Sequence, residues 1–171
     1  MTSFLPPDLL QRAERVIQLA TDQSKRIAIV ETVTGGLVAL SLSEVPGASR
    51  VLERSFVLYH EAAKVGGLGT DRKVGEEFGV VSAELTSSLA GNLAEASGAD
   101  IGVAVTGYAG PTGGSVTNPV GTVYTAPFIR GLSATNPTRH QFPGNRGAVK
   151  TAAAIAALAE LEVLLTRGSR I

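Results

Sequence analysis

Residues 26–45 read RIAIVETVTGGLVALSLSEV. Arg26–Val30 is a short, β-branched run of strand character. It breaks at Glu31, Thr32, Val33, Thr34, Gly35 and Gly36, and Leu37–Val45 is then apolar and helix-compatible until Pro46 and Gly47 stop it. Strand, tight glycine turn and helix in this order is the unit from which layered α/β domains are built.

The same alternation extends outward. Before it, Pro7 and Asp8 open a helix with Leu9, Ala13, Val16 or Ile17, and Ala20 on one face. After it, Ser55–Tyr59 reads as a second short strand, and His60–Gly79 is mixed, with glycines at 66, 67 and 69 and a short helix over Asp71–Phe78. Ser82 is an N-cap for a helix carrying Leu85, Leu89 and Leu93 and closing at Gly98. Ile101–Thr106 is a nearly continuous apolar run, as expected of a strand covered on both faces. Gly107–Pro119 holds four glycines and two prolines in thirteen residues, too many for a helix or central strand, and reads as a shaped loop. Val120–Ile129 is strand-like, with Pro127 pointing to an edge or a bulge. Arg139–Phe142 adds a short strand, and Pro143, Gly144, Asn145 and Arg146 lead into a last helix over about Gly147–Arg167.

The chain has 171 residues, 44% of them hydrophobic, which bounds it to one domain over 1–171 with a single well-buried core. Fifteen Lys+Arg balance fifteen Asp+Glu, so no overall field gathers nucleic acid or an anionic membrane. Partners are expected to be small molecules. The chain has no cysteine, which excludes disulfides, thiolate metal sites and a cysteine nucleophile and fits a cytoplasmic setting. Met1–Pro7 lacks the pattern of a signal peptide, and no apolar run reaches the length of a membrane span.

Polar or glycine-rich loops follow strands at Glu31–Gly36, Gly107–Pro119 and Pro143–Arg146. In open α/β sheets ligands bind beyond the carboxyl ends of strands, so these loops are candidates to converge. Thr32 and Thr34 lie beside backbone N–H groups near a helix start, a geometry able to hold an oxyanion or a phosphate. The same residues also fit a plain turn whose threonines cap the helix. Tyr59 and Lys64 place a phenol and an amine five positions apart, and they can share a proton with a nearby hydroxyl if apolar surroundings lower the lysine pKa. The alternative is a core tyrosine and a solvated lysine. His60 and His140 are the only histidines and make neither a Ser-His-Asp triad nor a zinc site; His60 is expected to be partly exposed. TGYAGPTGG (106–114) has the glycines of a main-chain anion loop but is neither a P-loop nor GxGxxG. Arg146, before a helix start, suits a phosphate or carboxylate, or an ordinary surface ion pair.

Together these blocks resemble the CinA C-terminal domain, the nicotinamide-nucleotide amidohydrolase family. That family's pattern runs ESCTGG, FVTYSNEAK, GAVS, SGIAGPxGG, KPVGTV and FPGDR. Here the blocks read ETVTGG (31–36), FVLYHEAAK (56–64), GVVS (79–82), TGYAGPTGG (106–114), NPVGTV (118–123) and FPGNR (142–146), in the same order and across nearly the whole chain. The resemblance implies a three-layer α/β/α sandwich with a mixed β-sheet, in a stand-alone form without the family's usual fused N-terminal domain. It implies hydrolysis of the carboxamide of nicotinamide mononucleotide to the carboxylate, with release of ammonia, in pyridine-nucleotide salvage. The implied catalytic positions are Thr32, Tyr59 and Lys64. The implied substrate-binding positions are Thr34, Gly35, Gly36, Thr106, Gly107, Gly110, Gly113, Gly114 and Arg146. No metal or cofactor is implied, and a homodimer is the expected assembly.

The departures fall within these blocks. Thr32 stands where the family has its serine nucleophile, Val33 where it has cysteine, His60 and Glu61 where it has Ser-Asn, Tyr108 where it has isoleucine, Asn118 where it has lysine, and Asn145 where it has aspartate. The methyl of Thr32 fixes χ1 and crowds attack. Glu61 brings a negative charge toward Lys64. A diverged, catalytically weak or inactive paralogue that binds a nucleotide or regulates a partner is the alternative reading.

Overall fold

The computed structural model describes residues 3–132 and 136–168. Met1 and Thr2, part of the N-terminal stretch read above, lie outside them. The elements in chain order are α1 (Pro7–Asp22), β1 (Ile27–Glu31), α2 (Leu37–Ser43), β2 (Leu52–Val57), α3 (Glu61–Gly66), α4 (Arg72–Phe78), α5 (Ala83–Ser97), β3 (Ile101–Gly107), β4 (Thr122–Ile129), β5 (Thr138–Gln141) and α6 (Arg146–Gly168).

Local chemistry explains most boundaries. Pro7 occupies the first turn of α1, where its missing N–H costs nothing, and Leu9, Ala13, Val16, Ile17 and Ala20 form its buried face. The Ser82 hydroxyl accepts from Leu85 N–H at 3.1 Å to cap α5, which ends at Gly98 in the left-handed region. Asp71 caps α4 through Lys73 N–H at 3.0 Å. Asn145 Oδ1 accepts from Ala148 N–H at 3.0 Å at the start of α6. Asn and Asp cap about equally well, so this departure from the family pattern leaves the helix start intact.

The five strands form one mixed sheet in the order β2-β1-β3-β4-β5. β1 is parallel to β2 and to β3, whereas β4 runs antiparallel to both β3 and β5. Side chains alternate across the sheet. Ile27, Ile29, Val103 and Val105 join the core under α1, α2 and α6, while Ala28, Val30, Ala104 and Phe128 join the core under α5. The result is the three-layer α/β/α sandwich with a mixed sheet that the sequence implied. Truncating a fully buried contact such as Leu89 or Leu158 to alanine costs about 2–5 kcal/mol.

Some expected boundaries shift. β2 begins at Leu52 rather than Ser55, because parallel pairing already starts at Ile27↔Leu52 and resumes at Ala28↔Arg54 past a register shift at Glu53, drawing residues of low strand preference into the strand. Tyr59 lies beyond the strand's end. α3 is an element the periodicity of His60–Gly79 did not reveal. β4 is internal over Thr122–Thr125, which pair with β5, and Pro127 falls past that pairing, where a strand tolerates proline.

Candidate functional site

The sheet topology sends the ends of β1, β2, β3 and β5 toward one edge, since these strands share a direction and only β4 opposes them. The segments leaving those ends carry Thr32–Gly36, Leu58–His60, Tyr108–Gly121 and Phe142–Asn145. The first three of these, with α3 and the start of α6, line a cavity of about 160 Å³ whose walls include Thr32, Tyr59, Lys64, Tyr108, Gly110 and Arg146. Gly107, Val33, Ala109 and Thr112 complete its lining. A larger groove of about 440 Å³ between α1 and α6 touches none of these loops, and the Arg12–Glu162 ion pair at 2.7 Å lies in it.

The turn after β1 is built around a buried acid. Glu31 continues the face of Ile27 and Ile29, is 0% exposed, and points its carboxylate at the start of α2. There it accepts from Gly36 N–H (3.1 Å), Val38 N–H (3.0 Å) and Ala39 N–H (2.8 Å). Gly35 N–H donates to the Thr32 carbonyl at 3.2 Å. Both glycines have positive φ, 63° and 97°. The N–H groups of Gly35 and Gly36 are thus engaged within the turn, which removes them as donors to an oxyanion. Thr32 N–H pairs with the Val105 carbonyl at 3.0 Å, fixing the turn to β3. Thr32 itself is 1% exposed and belongs to the cavity wall, and its buried Oγ1 has no hydrogen-bond partner. Thr34 is buried, with an unpartnered Oγ1, and is not part of the cavity wall.

Tyr59 follows the end of β2 and is 52% exposed. Its hydroxyl accepts from Arg146 Nη2, while Arg146 Nη1 donates to the Gly110 carbonyl at 2.6 Å. These two bonds tie the first residue of α6 to both other loops. Lys64 is half-buried in α3; burial holds its amine below the ordinary lysine value, and the Glu61 carboxylate pulls it back up. Burial likewise raises the Tyr108 phenol, with Glu61 adding to the rise. His60 is exposed and its Nδ1 accepts from Ala62 N–H at 3.2 Å, capping α3. No hydrogen bond joins Thr32 to either Tyr59 or Lys64.

The long loop is shaped by glycine and by Asn118. Gly110, Gly113 and Gly114 all have positive φ, and the Gly110–Pro111 peptide is cis. A Cβ on Gly114 would stand 2.8 Å from Val120 N, so only glycine fits that close approach. Gly113 and Gly114 are exposed and lie outside the cavity lining, whereas Thr112 is part of it. Asn118 Nδ2 donates to the Val81 carbonyl at 2.9 Å, and its Oδ1 accepts from Tyr124 at 2.9 Å, so this departure works as a brace. Thr106 turns the other way: its hydroxyl meets that of Thr86 in α5 at 2.7 Å, on the opposite side of the sheet from α6. Of the sequence-derived positions, the cavity therefore gathers Thr32, Tyr59, Lys64, Gly107, Gly110 and Arg146.

Lys150 was not among those positions. It lies one turn after Arg146, and its Nζ is 3.3 Å from where a Cβ on Gly35 would stand, with Tyr59 Cε2 3.6 Å from the same point. The i, i+4 spacing from Arg146 was the available signal. Among the described residues no group of His, Cys, Asp and Glu could hold a metal ion, and no helix is long and apolar enough to cross a membrane.

An α/β sandwich with a polar cavity beyond its parallel strand ends, closed by an arginine at the start of the last helix, defines the class. The chain belongs to the CinA C-terminal domain family, whose model matches residues 10–165. It is 37% identical over 145 residues to a CinA-like protein of Kosmotoga olearia, covering 85% of this chain and 35% of that one. Over 154 residues it is 37% identical to a putative competence-damage inducible protein of Clostridioides difficile, covering 90% and 36%. The chain thus spans about a third of the length of these relatives. Among solved structures, the competence/damage inducible protein CihA of Agrobacterium tumefaciens superposes with TM-score 0.88 at 34% identity, covering 96% of this chain and 99% of that one. A CinA superfamily protein of Escherichia coli superposes with TM-score 0.84 at 26% identity, covering 96% and 94%.

Proposed function

We propose that this chain is an amidohydrolase acting on the carboxamide of nicotinamide mononucleotide or a closely related nucleotide amide. The observation that carries the reading is the Thr32 hydroxyl: it is buried and without a partner, on a residue of the cavity wall that also includes Tyr59, Lys64 and Arg146. A buried hydroxyl left unsatisfied costs free energy, and a substrate group is what would satisfy it.

In this mechanism Thr32 Oγ1 attacks the amide carbon and its proton passes to the Lys64 amine, directly or through one water. Burial of Lys64 favours the neutral base that this step needs. The tetrahedral intermediate collapses with departure of ammonia, which takes up the proton, and water then hydrolyses the threonyl ester. Oxyanion stabilisation falls to the N–H groups of Val33 and Ala109. Both residues line the cavity and their N–H groups donate to no other group among the described residues. Arg146, with guanidinium donors left beyond Tyr59 and Gly110, faces the phosphate, and Tyr59 is oriented by it.

A second reading has its own observation. Tyr108, where the family has isoleucine, lines a cavity of only about 160 Å³, which favours a paralogue that binds a nucleotide without turning it over. Ammonia release from nicotinamide mononucleotide by the purified protein, with Thr32→Ala as control, separates the two. Release that Thr32→Ala abolishes supports the amidase. Thermal stabilisation by the nucleotide with no ammonia supports the binding paralogue.

A further inference from the structure

We propose that Lys150 is a specificity-determining residue that, together with Arg146, clamps the anionic end of a phosphomonoester ligand at the mouth of the cavity. The proposal rests on the nucleotide reading of the same site and names a residue that reading does not require. Arg146 and Lys150 are one turn apart in the first turns of α6, so their side chains leave the same face of the helix. The Arg146 guanidinium reaches the Tyr59 hydroxyl, and the Lys150 ammonium stands over Gly35 beside the Tyr59 ring. The two cations therefore flank one phenol at the rim.

Neither cation is neutralised. The ion pairs among the described residues join Arg12, Arg15, Arg26 and Arg54 to Glu162 and Glu53, and none includes Arg146, Lys150 or Lys64. The Lys150 ammonium also makes no hydrogen bond among them. In a chain whose formal charge is zero, Arg146 in the cavity wall and Lys150 beside Tyr59 are a local excess of positive charge, with Glu61 as the counterweight near Lys64. The first turn of a long helix adds its own partial positive charge. Thr32, also in the cavity wall, has a buried hydroxyl without a partner, an observation independent of the cations that favours a ligand with a polar group at that wall. A ligand satisfying both ends carries a dianion at one end and a compact polar group at the other. A phosphomonoester of a nucleoside has that form, whereas the free nucleoside lacks the charged end.

Binding is measured by calorimetry in the Thr32→Ala background, so that turnover does not interfere, using nicotinamide mononucleotide, nicotinamide riboside, ribose 5-phosphate and inorganic phosphate. Lys150→Gln is expected to weaken mononucleotide binding roughly tenfold, to change riboside binding less than about twofold, and to flatten the salt dependence. Lys150→Arg is expected to retain binding and serves if the glutamine variant folds poorly. Loss of ribose 5-phosphate along with the mononucleotide assigns the clamp to the ester. Loss of inorganic phosphate as well assigns it to the anion alone. Equal losses for mononucleotide and riboside, or none for either, overturn the proposal. The amidase reading fails separately: Lys150-dependent nucleotide binding by an intact protein that releases no ammonia leaves the clamp standing and removes the reaction. Ammonia release whose KM ignores Lys150→Gln does the reverse.

Discussion

The Tyr59 hydroxyl accepts a hydrogen bond from Nη2 of Arg146, joining the loop after β2 to the first residue of α6 across the cavity. This contact makes the tyrosine and the arginine one unit, and it gives the first prediction. Arg146→Ala should weaken binding of a phosphorylated nucleotide at least tenfold while changing that of its nucleoside little, because a charge-assisted contact to phosphate is lost only with the former. Tyr59→Phe, which keeps the ring and removes the acceptor, should lower Tm by no more than a few degrees, since the pair is half exposed. Titration calorimetry and thermal unfolding check both. Equal losses for nucleotide and nucleoside in Arg146→Ala would mean that the arginine acts through folding.

Thr32 separates stability from activity. Thr32→Val keeps the shape and removes a buried hydroxyl that has no partner, so the variant should be more stable by about 1 kcal/mol and release no ammonia. Thr32→Ser keeps the hydroxyl, frees χ1 and opens the approach to the amide carbon. Relief of a modest misplacement raises turnover by up to about a hundredfold. If the triple change Thr32→Ser, Glu61→Asn, Tyr108→Ile still binds without hydrolysing, the relay through Lys64 has to be withdrawn.

The charge state of Lys64 sets the third expectation. Burial lowers its pKa and Glu61 opposes that. Glu61→Gln removes the opposition, so the limb of kcat/KM that rises with pH should move to lower pH. Stability follows with a definite sign. Between the lowered folded value and the ordinary 10.5 the unfolded chain binds more protons at this site, so stability rises with pH across that window and falls back as pH drops through the folded value. Lys64→Met should therefore raise Tm at neutral pH, with the gain shrinking toward pH 10.5.

Glu31 is the structural pivot of the turn after β1, and Glu31→Gln tests it. The amide offers one acceptor where three N–H groups converge and sets its own donors against them. A loss of about 2–3 kcal/mol is expected, equivalent to a Tm drop of roughly 5–10 °C for a chain of this size. A Tm within 1–2 °C of the parent would show that water replaces the carboxylate.

The elements legible in the sequence were those encoded within a few residues. Pro7 in a first turn, the Ser82 cap, the short helix read over Asp71–Phe78, Gly98 at a helix end and the apolar run Ile101–Thr106 all act through contacts spanning at most a few helical turns or one strand. The order of the motif blocks likewise marked the loops that meet at the cavity. Tertiary structure alone decided which way each side chain faces and which donors remain free. Thr106 belongs to the right block but turns to Thr86, because strand alternation in the register Thr106↔Tyr124 puts it on the α5 side. Gly35 and Gly36 have the residue type for an oxyanion hole, yet their N–H groups go to the Thr32 carbonyl and the Glu31 carboxylate, the second a partner five residues back. Lys150 carried no motif and reaches Gly35 only because α6 packs against α2, whose start Gly35 precedes. Neighbour chemistry along the chain fixes where elements start and stop, whereas the pairing of distant strands and helices fixes what each side chain meets.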